Sequence, residues 1–327
     1  MESLEALPLL ALAVLTSSEL TWKSKTGLVM AKERIGFIGL GIMGSPMCRN
    51  ILNAGFPLVV NDVATAPMEA LAKLGAATAA SPAELAREAD ILITCLPNAD
   101  IVEQVVTGEN GILAGSTAGQ VYVDMTTNYP PVSVALAERL AGHGIGMLDA
   151  PVSGGSGGAE AGTLSIMCGG ATAVFDRCMP VFEAMGQRIT LMGESVGMGG
   201  YAKLTNQIMV SIHFASLAEA LVFAAKAGLD MKKLIPALEA GWANSTVLNV
   251  KAPQILARDF TPVGTVAVQH KDLSYITRSM EDMGIDLPFC GQIKAMYEQL
   301  IDQGKSGIDQ MALIHLFEAM AGVEVKA

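Results

Sequence analysis

The sequence predicts a doubly wound α/β domain followed by an all-helical domain. From Arg34 to about Gly193, short apolar runs alternate with helix-length segments, the pattern of a parallel sheet covered by helices. A glycine-rich turn closes the first of these runs. Beyond Gly193 helical periodicity continues to the end, and no strand pattern returns. With 327 residues the chain is long enough for two domains. The expected boundaries are 30–193 for the sheet domain and 194–327 for the helical one.

Residues 1–29 stand apart. "LPLLALAVL" (7–15) has the apolar character of a signal-peptide core, but Glu2 and Glu5 precede it and no Lys or Arg does. A secretory signal opens with positive charge, and a bilayer span needs ~20 apolar residues. The segment is therefore expected to be a disordered extension, with the fold beginning near Met30. The strands expected after it are "RIGFI" (34–38), "PLVVN" (57–61), "DILITCL" (90–96), "VYVD" (121–124), "GMLDAPV" (146–152), "LSIMCG" (164–169) and "RITLM" (188–192). Between the third and the second of these, 81–89 reads as a helix, because "SPAELA" offers a serine N-cap with proline at the first helical position. In the second half, 201–227, 231–241, 265–283, 289–303 and 307–322 read as helices separated by Gly and Pro punctuation.

Composition narrows the classes of function. Thirty-two acidic against 21 basic residues give a formal charge of −11, whereas nucleic-acid binding needs clustered Lys and Arg. Five scattered cysteines, odd in number and without a C-x-x-C pair, point to reduced core thiols in a cytoplasmic protein. The four histidines lack the i, i+4 spacing of a helical metal site. No metal, nucleic-acid partner or membrane partner is expected.

"FIGLGIMGSPM" (37–47) places Gly39, Gly41 and Gly44 in the G-x-G-x-x-G spacing, directly after a strand and at the opening of a helix. The first glycine permits a tight turn, the second lets backbone approach a pyrophosphate, and the third lets helix pack on strand. Leu40, Ile42 and Met43 complete the loop, whose helix amides favour phosphate. Asp62 ends the second strand run 18 residues after Gly44, where an acidic side chain accepts from ribose hydroxyls. Its charge opposes the extra phosphate of NADP, and Val63 and Ala64 follow it instead of an arginine. A Rossmann-type domain that binds NAD in preference to NADP is expected.

"GGYAKLTNQIMVSIHFASLAEALVFAAKAG" (199–228) carries only Lys203, Glu219 and Lys226 as charges. A cation near a helix N-terminus costs a few tenths to ~1 kcal/mol, so Lys203 is poorly placed for stability. Apolar surroundings and the positive helix end both lower a lysine's pKa, which suits proton transfer at neutral pH. Asn206 and Gln207, three and four residues on, share its helix face and are expected to hydrogen-bond substrate oxygens.

With the glycine loop, "CLPN" (95–98), "DMTT" (124–127), "DAPVSGG" (149–155), "GTLSIMCGG" (162–170), "KLTNQ" (203–207) and "HKDL" (270–273) in this order, the sequence resembles the β-hydroxyacid dehydrogenase family from Met30 onward. Within it, "KLTNQ", "STVLNVKAP" (245–253) and "VEVKA" are most similar to the members that reduce tartronate semialdehyde. The resemblance implies that Lys203 is the catalytic acid or base. It implies that Ser153, Gly154 and Gly155 hold the substrate carboxylate, an arrangement the glycine turn also suits as an anion nest. Leu96, Pro97, Thr127 and Lys271 are implied along the cofactor, and Trp242, Asn244 and Ser245 near the selectivity region. Many 3-hydroxyisobutyrate dehydrogenases resemble "KLTNQ" but carry Asn where this chain has Gln207, which favours a small hydroxylated substrate. The implied activity is hydride transfer between NAD(H) and a small β-hydroxy acid or semialdehyde, foremost glycerate and tartronate semialdehyde, in a homodimer or homotetramer. Open alternatives are 3-hydroxyisobutyrate, threonate, sulfolactaldehyde or succinic semialdehyde chemistry, an imine reductase, or a non-catalytic dinucleotide-binding protein. The last two would be expected to lose Lys203.

Overall fold

The computed structural model describes residues 32–326, so the extension expected at 1–29 lies outside the described residues. The first half alternates strand and helix: β1 (Ile35–Ile38), α1 (Gly44–Asn53), β2 (Leu58–Asn61), α2 (Thr65–Ala72), β3 (Ala77–Thr78), α3 (Pro82–Glu88), β4 (Ile91–Thr94), α4 (Ala99–Thr107), α5 (Ile112–Gly115), β5 (Val121–Asp124), α6 (Pro130–Ala141), β6 (Gly146–Asp149), β7 (Val152–Ser153), α7 (Gly155–Ala161), β8 (Leu164–Gly169), α8 (Thr172–Met185) and β9 (Gly186–Gly193). β1, β2, β4 and β5 are buried at every position. This is why they read as unbroken apolar runs, since a parallel sheet is covered on both faces.

The nine strands form one sheet in the order β3-β2-β1-β4-β5-β6-β8-β7, with β9 beside β8. From β3 to β6 the pairing is parallel; β8 runs antiparallel to β6 and β7 and parallel to β9. Strand order reverses at β1, with β2 on one side and β4 on the other, and such a switch point is where open α/β sheets bind ligands. The fold is a Rossmann-type domain followed by a helical C-terminal region.

Ser81 caps α3 as its sequence suggests, accepting from the Glu84 amide at 3.1 Å. The run 146–152 divides at Ala150–Pro151 into β6 and β7. β3 has no sequence signal because both its residues are exposed.

The second half is helical: α9 (Met198–Lys226), α10 (Met231–Glu239), α11 (Thr246–Leu256), α12 (Val266–Met283), α13 (Pro288–Asp302), a 3-10 turn (Gln310–Leu313) and α14 (Ile314–Ala321). Of these α11 is absent from the sequence expectation, because Pro253 argues against a helix there. Two things hold it nonetheless. Ser245 caps it, accepting from the Leu248 amide at 3.0 Å, and buried Lys251 reaches both Asp309 oxygens at 2.8 and 3.0 Å. Asp309 also accepts from the Val263 and Met311 amides, so that carboxylate ties α11 to the 3-10 turn.

α9 is the axis of this region. Leu204, Phe214, Leu217 and Leu221 pack with Leu248, Ile255, Leu273, Ile276, Tyr297 and Leu313, each fully buried side chain of this kind contributing about 1.5–3 kcal/mol. Among the described residues it is the one helix long and apolar enough to cross a membrane by length and composition. An apolar groove lined by Tyr201, Leu204, Ile208, Met280, Met283 and Leu287 runs along it. At 100° per residue its α9 positions, Tyr201, Leu204 and Ile208, lie roughly 100–160° around the helix from Lys203, away from the polar cluster that holds the lysine.

Candidate active site

At the carboxyl end of β1 the chain turns through Gly39 at φ +99°. A Cβ there would lie 2.3 Å from the Cys95 carbonyl oxygen, and one on Gly44 would lie 1.8 Å from the Gly39 carbonyl oxygen. Gly41 is different, since a Cβ on it would meet nothing within 4 Å. The outer glycines thus close the turn, while the middle one presents bare backbone to open space. Asp62, at the end of β2, accepts from the Leu40 amide at 2.6 Å and the Ala64 amide at 2.8 Å. Its carboxylate is fixed beside the loop, and Val63 next to it is fully exposed. The loop and its aspartate fit a dinucleotide: open backbone at Gly41 for the pyrophosphate, Asp62 for the ribose.

The neighbouring strands add their own ends. The Leu96 amide donates to Thr126 Oγ1 at 3.0 Å, which joins the "CLPN" loop to the "DMTT" loop. Behind them Asp124 is buried and accepts from Thr94 Oγ1, the Thr126 amide and Asn128 Nδ2 at 3.0–3.1 Å. Burial holds its carboxyl above the ordinary range. Asp149, its register partner on β6, accepts from the Gly197 amide at 2.8 Å and the Gly200 amide at 2.5 Å. Burial pushes this carboxyl up to about 6. Asp149 therefore caps the start of α9, and close approach makes this possible: a Cβ on Gly199 would lie 2.4 Å from the Asp149 and Met167 carbonyl oxygens. The bare positive helix end expected near Lys203 is in fact met by a carboxylate.

One turn into α9, Lys203 is buried. Its Nζ donates to Gln207 Oε1 at 3.0 Å and to Asn206 Oδ1 at 3.5 Å. Ser153 Oγ donates to the same Asn206 oxygen at 3.2 Å, which brings the "DAPVSGG" turn to the lysine. Gly154 and Gly155 lie at φ +136° and +61°, so this turn needs glycine for its backbone. Burial lowers the Lys203 pKa to about 8, with Lys271 adding to that and Asp272 opposing it. Gln207 Nε2 donates to Asp272 Oδ2 at 2.6 Å. Each end of the Gln207 amide thus makes one contact within the protein, which leaves one N–H and one lone pair of the amide over. Asn206 has its oxygen engaged in the same cluster.

α12 faces this cluster and the sheet loops at once. Lys271 Nζ donates to the Thr127 carbonyl at 2.9 Å and lies 3.2 Å from Asp272 Oδ1, so it links the residues expected along the cofactor to those around Lys203. Further along the same face, Tyr275 OH accepts from the Ala99 amide at 3.1 Å and its ring stacks on Tyr129. Arg278 lies 4.2 Å over the Tyr129 ring, and the Tyr129 hydroxyl donates to Asp282.

The sequence-derived residues fall into two joined groups. Gly39–Gly44, Asp62, Leu96, Pro97 and Thr127 lie on the loops at the carboxyl ends of adjacent strands β1, β2, β4 and β5. Ser153, Asn206, Gln207 and Lys271 lie around Lys203. Trp242 is fully exposed and Ser245 is spent on capping α11, so neither joins them. Asp124, Asp149, Asp272 and Tyr275 are the residues sequence reasoning left without a role. Strand-ending Asp in "VYVD" and "GMLD" was the available signal for the first two.

A switch-point glycine loop, and a buried lysine tied to the neighbouring Thr127 loop through Gln207, Asp272 and Lys271, define an NAD(P)-dependent dehydrogenase acting on CH–OH groups. Residues 34–193 match the family described as the NAD binding domain of 6-phosphogluconate dehydrogenase, and 197–317 the one described as NAD-binding of NADP-dependent 3-hydroxyisobutyrate dehydrogenase. The chain is 38% identical to 2-hydroxy-3-oxopropionate reductase of Escherichia coli (strain K12), over 88% of this chain and 98% of that one. It is 36% identical to 2-(hydroxymethyl)glutarate dehydrogenase of Eubacterium barkeri, over 89% and 97%. A crystal structure of 3-hydroxyisobutyrate dehydrogenase from Salmonella typhimurium superposes with a TM-score of 0.82 at 28% identity, covering 88% of this chain and all of that one. The chain belongs to the β-hydroxyacid dehydrogenase family.

Proposed function

We propose that the chain is an NAD-dependent reductase of a small semialdehyde acid, interconverting tartronate semialdehyde and glycerate. The observation that carries this reading is Lys203, a buried ammonium whose pKa burial lowers to about 8 and whose hydrogen-bond acceptors are neutral oxygens. An ammonium has three N–H donors; two point at Gln207 and Asn206, which leaves the third for a substrate carbonyl. A bound nicotinamide supplies the hydride to the carbonyl carbon. Lys203 polarises the carbonyl and gives its proton to the oxygen, and it recovers a proton from solvent; in the oxidative direction it takes the hydroxyl proton instead. Ser153 with the Gly154–Gly155 backbone suits the substrate carboxylate.

Asp62 supports NAD over NADP, because its fixed carboxylate opposes a 2′-phosphate and no arginine follows it. The 38% identity to 2-hydroxy-3-oxopropionate reductase supports the substrate, as does Gln207 in place of Asn. The division at 193/194, a cytoplasmic location and a homo-oligomer go with this reading. Exposed Met283, Ile285, Leu287 and Phe289 beside the α9 groove suit self-association.

The test is oxidation of NADH and of NADPH with a panel of three- and four-carbon semialdehyde acids. Turnover is expected with NADH and tartronate semialdehyde, and Lys203→Ala is expected to lower kcat by about 10²- to 10⁴-fold. Full activity in Lys203→Ala would falsify the mechanism, and a clear NADPH preference would overturn the use of Asp62.

A further inference from the structure

We infer that Asp272 is a positioning residue for the reaction: it dictates which end of the Gln207 amide faces Lys203, and so holds the ammonium ready to donate. This rests on Lys203 as the acid proposed above.

A glutamine amide has an acceptor end and a donor end, and its orientation follows from its partners. Here the partners leave one choice. The Asp272 carboxylate only accepts and the Lys203 ammonium only donates. With Nε2 on Asp272 Oδ2 at 2.6 Å and Oε1 on Lys203 Nζ at 3.0 Å, both contacts are attractive. A half-turn of the amide would set carbonyl against carboxylate and NH2 against ammonium. All three groups are buried, so water cannot soften that exchange.

Asp272 is itself held. Its side chain is 3% exposed, and Oδ1 lies 3.2 Å from Lys271 Nζ with no hydrogen-bond partner besides it among the described residues. The charged groups acting on Lys203 are these two from α12, Asp272 and Lys271. From its own helix come the neutral Asn206 and Gln207, and from β7 the neutral Ser153, which reaches Asn206. Asp272 is thus the anion of the cluster and acts through one intervening amide.

The experiment exchanges the two chemistries. Asp272→Asn alone removes the charge and lets the amide turn. Gln207→Met cuts the link while leaving Asp272 in place. The pair Gln207→Glu with Asp272→Asn swaps carboxylate and amide, so that a hydrogen bond between the two positions and an acceptor for Lys203 are both kept. Each variant is checked by circular dichroism, and its kcat for semialdehyde reduction and KM for NADH are measured from pH 6 to 10.

Asp272→Asn and Gln207→Met are each expected to lose about tenfold or more in kcat with little change in KM for NADH. In Asp272→Asn the alkaline fall of reduction is expected about one pH unit lower. The exchanged pair is expected to recover kcat above Asp272→Asn and to move the alkaline fall upward, since its carboxylate lies directly on Lys203. Wild-type kcat and pH profile in either folded single variant overturn the inference, as does an exchanged pair no better than Asp272→Asn. If Lys203→Ala were fully active, the proposed reaction itself would fall; if it is inactive while Asp272→Asn behaves as wild type, only the role of Asp272 falls.

Discussion

Lys203 carries its charge in a place that disfavours it, and this gives the protein two pH dependences of known sign. Its pKa falls from 10.5 to about 8 through burial. Between those values the unfolded chain binds more protons than the native one, so this residue's cost to stability is full below about pH 8 and is relieved as pH rises toward 10.5. Reduction needs the protonated form. Its rate at saturating substrate is therefore expected to fall as pH rises through about 8, while oxidation gains over the same range. Following NADH at 340 nm in both directions checks this, and a rate of reduction flat from pH 6 to 10 would count against the lysine as the acid. Lys203, the glycine loop and Asp62 were legible because each announces itself within a few neighbouring residues. Asp272 was not, since what gives it a role is Gln207, 65 positions away.

α9 begins where the sheet lets it begin. Its first amides have no intrahelical partners, and Asp149 at the end of β6 accepts from one of them, Gly200, and from Gly197 just before the helix, 51 and 48 positions away. Asp149→Ala leaves the Gly197 and Gly200 amides buried without that partner. Stability is expected to drop by about 1–3 kcal/mol, read as a lower urea midpoint with unchanged slope; a midpoint equal to wild type would show the cap to be dispensable. Burial raises the Asp149 carboxyl from 3.8 to about 6. The native chain thus holds this proton more tightly than the unfolded one, and the contribution of this residue to stability falls as pH rises across that window. Element by element, the strands buried on both faces and the Ser81-capped helix could be read directly. α11 could not, because propensity at Pro253 is overridden by the buried Lys251–Asp309 pair, and β3 could not, because two exposed residues make no pattern.

Across the whole molecule, the alternation that ends at Gly193 and the helices that follow were written in hydrophobic period alone. How the two parts meet was not. That depends on Lys271, Tyr275, Arg278 and Asp282, which share one face of α12 and reach Thr127, Ala99 and Tyr129 on the sheet loops. "HKDL" hinted at the first of them only.

Chain order gives α9 a further consequence, in time. The helices that cover it, α10 to α14, all follow it in the sequence. At the usual synthesis rate of ~5–20 residues per second, the stretch from Ala227 to Ala327 takes roughly 5–20 s to make. During that interval the longest helix among the described residues has been made while its covering helices are still incomplete. Ribosome-bound chains stopped far enough past Ala227 for α9 to have left the exit tunnel, but not α12, are accordingly expected to crosslink to a holding chaperone, and released chains to have lost it; equal crosslinking of the two would show that α9 finds cover without its later neighbours.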